Sequence, residues 1–131
     1  MRPEERIQCS EVLLRAIRER DWRAAEEGTR RIRPTAFMRR VHRPEPGVSV
    51  FRAALVTPEE CVQRAGGCIR AVASLHTGAV RDLGLTVEAA GAGGHATILG
   101  VPDPGEDTDE ARTWGALLRS ISRLVWVREG R

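Results

Sequence analysis

The chain contains no lysine, no asparagine and no tyrosine, and aromatic side chains make up only 4% of its 131 residues. With so few rings, the paired stacking residues of an RNA-recognition sheet are missing. No run of about 18 apolar residues occurs, which excludes a membrane-spanning helix. The opening MRPEERIQCS carries charge where an export signal needs an apolar stretch, so a cytoplasmic protein is expected. Cysteine is scarce as well. Cys9, Cys61 and Cys68 form an odd set, which favours reduced thiols that behave as small hydrophobes. Cys61 and Cys68 would lie two turns apart on a continuous helix, roughly 10 Å, beyond disulfide reach. Paired C-x2-C spacings are missing, so no zinc site is expected. The nominal ligands His95, Asp103, Asp107 and Asp109 do not follow calcium-loop spacing, and neither a metal nor a cofactor is predicted. GAGG at 91–94 is not followed by the GK[ST] of a phosphate loop, and no G-x-S-x-G elbow surrounds any serine.

What is present fits one small domain: 14.4 kDa, 41% hydrophobic and 30% charged residues. A chain of this length buries enough surface to fold without disulfide or metal staples. All 21 basic side chains are arginine, for a net charge of +3. That bias, with abundant alanine and glycine, resembles the drift of a GC-rich bacterial genome. Its distribution is uneven. Residues 1–43 hold 12 Arg against 7 acidic residues, whereas 44–131 hold 9 Arg against 11. The N-terminal part is thus the side expected to meet an anionic partner.

Along the chain, residues 10–32 read as two short helices. Ser10 caps the first, with Val12, Leu13, Ala16 and Ile17 at helical spacing, and Asp21 caps the second. The phrase LLRAIRERDWRAAEE resembles one helical hairpin of the tetratricopeptide or ankyrin kind. It covers under a fifth of the chain and has no second copy, so it implies a packing or docking element and not a solenoid. Pro34, Pro44 and Pro46 make 34–47 an Arg/Pro-rich connector. VSVFRAALV at 48–56 reads as a strand. Thr57, Pro58, Glu59 and Glu60 open a helix to about Ala65. CIRAVASL at 68–75 fits strand or helix, with strand favoured, and a short helix starts at Thr77 and ends by Gly84. LTVEAA and HATILGV, 85–90 and 95–101, form a β-hairpin across the glycine-rich tip. A long amphipathic helix follows, with Ala111, Trp114, Leu118, Ile121 and Val125 on its inner face. The expected fold is α+β: an N-terminal helical hairpin over 1–33, the connector 34–47, and a core over 48–131 with a short mixed or antiparallel sheet.

Two groups of residues carry chemistry. The first is the arginine-rich stretch, in which Arg30, Arg31, Arg33, Arg39, Arg40 and Arg43 follow one another with no acid between Glu27 and Glu45. Guanidinium groups fork onto phosphate oxygens and Phe37 would stack on a base, so RNA or single-stranded DNA is the first candidate ligand. The second is histidine-centred. A hairpin register pairing Glu88 with His95 would put a carboxylate beside an imidazole, the arrangement of a general base. His76, before a helix start, would supply a partner acid if the two histidines met. An ordinary wet sheet face explains the same alternation. The leading expectation is a binding or accessory module for an anionic partner. The alternatives are a small metal-independent nuclease or nucleotide-dependent transferase, and a protein that pairs with itself or docks a partner through the helical hairpin.

Overall fold

A computed structural model describes residues 6–39, 46–91, 93–105 and 108–128. It is built on six strands: β1 (Val12–Arg18), β2 (Val48–Arg52), β3 (Ile69–His76), β4 (Thr86–Ala89), β5 (His95–Leu99) and β6 (Arg123–Val127). They lie in the order β4-β5-β2-β1-β3-β6, and every neighbouring pair is antiparallel. Three α-helices accompany them: α1 (Pro58–Ala65), α2 (Thr77–Asp82) and α3 (Thr108–Ser120). The α+β class holds, and the sheet is wholly antiparallel. Among the described residues, no helix is long and apolar enough to cross a membrane.

The N-terminal helical hairpin is not formed. Val12–Arg18 is a strand near the centre of the sheet, and Glu19–Asp21 and Gly28–Arg31 are short 3₁₀ turns. The reason lies in burial on both faces. Leu13 and Ile17 enter the main core while Leu14 enters the opposite one. A short apolar cluster such as VLLRAI fits a two-sided strand as well as a helix stripe, and seven register pairs to β3 decide for the strand. Asp21 consequently caps no helix. It is 8% exposed and accepts a 2.6 Å hydrogen bond from Thr35 Oγ1. Trp22 bridges to Ile32, so residues 19–38 form a loop folded back over the sheet.

The main core lies on the sheet face carrying Leu13, Val50, Leu75 and Ile98, closed by Val80 of α2, Leu118 of α3, and Ile32 and Phe37 of the folded-back loop. Gly115 makes this closure possible, because a β-carbon there would overlap the Pro34 carbonyl oxygen. The other face carries a smaller cluster, Leu14, Phe51, Val56 and Val72, roofed by Cys61 of α1. The expected cap of α1 is present as a capping box. Thr57 Oγ1 accepts from the Glu60 amide at 3.1 Å, and Glu60 Oε1 accepts from the Thr57 amide at 3.0 Å.

Two further expectations need correction. The last helix ends at Ser120, not near Val125, and residues 123–127 form β6. Ser120 and Ser122 hydroxyls donate to the Leu117 and Arg119 carbonyls at 2.6 and 2.7 Å, satisfying the helix end locally. The β4–β5 hairpin pairs Glu88 with Thr97 and Thr86 with Leu99, two residues away from the expected register. A shift of two preserves the faces, so Val87, Ala96 and Ile98 are buried as expected while Thr86, Glu88 and His95 stay exposed.

Candidate functional site

β1 and β2 are joined by only two register pairs, Leu13 with Arg52 and Leu14 with Phe51. Beyond them the strands part, and Arg15 reaches across the parting. Its Nε donates to the Ala36 carbonyl at 2.8 Å and its Nη1 to the Ser49 carbonyl at 2.6 Å. At the tied end, Arg52 and Glu11 form a two-point ion pair, with Nε to Oε1 at 3.0 Å and Nη2 to Oε2 at 2.9 Å. Burial raises the Glu11 pKa, but the Arg52 hydrogen bond, the Gln8 amide and the Arg52 and Arg81 charges together hold the carboxyl below its ordinary range.

The parting opens into a groove of about 890 Å³. Its floor is Arg15 and Ala16 of β1 with Ser49 and Phe51 of β2, and His95 stands on the β5 side. One wall is the end of α1, with Arg64 and Ala65; the other is the folded-back loop, with Arg20, Asp21, Arg33, Thr35 and Arg39. Six arginines thus line the groove against one acid, and that acid is already committed to Thr35. Gathering like charges around one concavity focuses positive potential there and favours an anion.

These arginines are held in different ways. Arg18 Nη1 donates to the Gly66 carbonyl at 3.2 Å, and Arg64 donates to the Gly93 carbonyl. The side chains of Arg20 and Arg33 are exposed and make no hydrogen bond or ion pair among the described residues. The glycine tip before β5 is required sterically. Gly94 has φ +83°, and a β-carbon on it would come 2.7 Å from Val56 Cγ2. Packed so closely, the tip fixes the start of β5, where His95 lies against Phe51 with ring centroids 4.6 Å apart and planes tilted by 42°.

The expected site residues are distributed unevenly. Arg33, Arg39 and His95 come together in the groove. Arg30 is exposed outside it, and Arg31 lies with its guanidinium 4.9 Å from the Trp22 ring centroid. Phe37 is completely buried in the main core, so the stacking face expected of it is not presented. Arg40 and Arg43 lie outside the described residues. Glu88 faces Thr97, diagonal to His95. His76 ends β3 opposite Val12, and β1 and β2 stand between it and His95, about 14 Å at the usual strand spacing. The acid–base pair of two histidines is therefore not assembled.

Sequence reasoning missed Arg15, Arg18, Arg20 and Arg64 as groove residues. The first three lie in the segment read as helix, where nothing marks Arg15 and Arg18 as strand residues or Arg20 as part of the turn after them, and Arg64 is a lone basic residue at a helix end. Among the described residues, no group of three or more His, Cys, Asp or Glu is placed to hold a metal ion. Comparison of the chain with protein-family models, curated proteins and solved structures finds no match in any of the three.

Proposed function

We propose that this protein is a binding module for an anionic partner, with single-stranded nucleic acid as the first candidate, received in the groove between β1 and β2. The observation that carries this reading is the lining of six arginines against one engaged aspartate. Guanidinium groups offer up to five N–H donors in a planar fork that matches phosphate oxygens. Arg15, Arg18 and Arg64 are tied to backbone carbonyls and supply a fixed field. Arg20 and Arg33 are placed to close on a ligand. The helical hairpin expected to dock a protein partner is not formed, and that route to an accessory role loses its surface.

The test is fluorescence anisotropy with labelled single-stranded RNA, single-stranded DNA and duplex DNA at low and moderate salt, with the Arg20→Glu, Arg33→Glu double variant beside the native chain. Both side chains are exposed, so the fold should survive the change while binding is lost. Equal affinity in the two proteins would remove the reading.

A second reading, a small metal-independent nuclease or nucleotide-dependent transferase, is favoured by one observation: His95 lines the same groove. With His76 remote and Glu88 opposite Thr97, His95 would act as general base with an arginine stabilising negative charge. It requires pH-dependent turnover of a nucleotide or nucleic-acid substrate that His95→Ala abolishes.

A further inference from the structure

The groove carries one feature that a general anion site does not need. His95, at its edge, is exposed and backed on one side by Phe51, which is itself only 8% exposed. The imidazole thus rests at a 42° tilt against a second ring and stays exposed among the arginines that line the groove. The same turn anchors the nearest of those cations, because Arg64 donates to the carbonyl of Gly93, two residues before His95. A β-carbon at Gly93 would stand 3.3 Å from Arg64 Nη1 and 3.9 Å from His95 Cδ2, so guanidinium and ring flank one point. A single nucleotide spans that separation between its base and its phosphate. The groove volume of about 890 Å³ also falls within the range of small-molecule sites, roughly 300–1,000 Å³. A continuous duplex has its bases stacked inside and offers no open face to His95.

We infer that the groove takes a nucleoside phosphate, either free or as part of a single strand, with its base stacked on His95 and its phosphate on Arg64 and Arg18. This rests on the anion-binding reading above and adds the base contact to it. Base stacking on aromatic rings is tolerant of sequence, so the site should discriminate nucleotide from inorganic phosphate more strongly than one base from another.

Isothermal titration in EDTA separates the two claims, with inorganic triphosphate, ATP and a single-stranded RNA pentamer as probes. ATP or the pentamer should bind roughly tenfold or more tightly than triphosphate. His95→Ala should remove that preference and leave triphosphate affinity unchanged, and His95→Phe should retain it. If only the pentamer exceeds triphosphate, the base contact belongs to a strand; if ATP does so as well, a free nucleotide suffices. Triphosphate binding as tightly as both nucleotide probes, or a preference that survives in His95→Ala, overturns the base contact while leaving the anion groove standing. Failure of all three probes to bind overturns the groove reading itself.

Discussion

At the scale of single residues, the three cysteines show how burial sets chemistry. Cys61 points from α1 into the smaller core, and burial pushes its thiol up to about 11 against the opposing charge of Arg15. Cys9 and Cys68 are exposed. A thiol reagent at neutral pH should therefore label two positions in the native protein and a third only after denaturation. Rapid native labelling of Cys61 would mean that α1 does not seal the cluster beneath it. The Glu11–Arg52 pair gives a pH signature. A carboxyl held below its ordinary value of 4.5 when folded contributes stability that is present above that value and lost as pH falls through the folded one. Urea midpoints of the native chain should accordingly decline in the acid range below about pH 4.5, and Glu11→Gln should flatten that decline while lowering the neutral-pH midpoint. A variant with the native acid profile would assign the loss to other carboxylates.

At the scale of elements, the packing of α3 against residues 34–38 leaves no room for a side chain at Gly115. Gly115 weakens the helix by its own propensity, yet it is where the Pro34 carbonyl rests. Gly115→Ala should lower stability by about 1–3 kcal/mol in spite of alanine's better propensity, because backbone on both sides has no rotamer to yield. It should also weaken the proposed anion binding, since the displaced segment carries Arg33 and Arg39. An unchanged urea midpoint would show that the segment lifts from the helix without cost. Elements with local signals were legible in the sequence. The Thr57 to Glu60 cap placed α1, and the alternation around Val87 and Ile98 gave the faces of the hairpin. Register and β1 were not legible. The turn residues constrain the alternation only to an even shift, and VLLRAI acquires its strand identity from β3, more than fifty residues away in the chain.

At the scale of the whole molecule, the uneven charge of the sequence becomes a place. Arg15, Arg18, Arg20, Arg33 and Arg39, all from the basic N-terminal part, converge with Arg64 on one groove. The sequence therefore indicated which part of the chain supplies most of the groove's arginines, and not which side chains they are, because convergence is a property of the sheet order. If the partner is single-stranded nucleic acid, the slope of log affinity against log salt concentration should fall by about 0.7 for each phosphate contact removed. Arg20→Ala with Arg33→Ala should therefore reduce that slope by roughly 1.4 if each makes one contact. A slope that does not change would place the phosphates elsewhere.

The parting between β1 and β2 divides the sheet into two interleaved triplets of strands. β1, β3 and β6 draw on residues 12 to 127, and β2, β4 and β5 draw on residues 48 to 99 nested within them. The chain crosses the parting four times, on its way from β1 to β2, β2 to β3, β3 to β4 and β5 to β6. Neither side is a continuous fragment, so the boundary is a seam sewn through by the backbone. A cut anywhere between Arg18 and His95 divides the residues that line the groove, so a proteolytic nick there should unravel the molecule instead of releasing a half that keeps both banks.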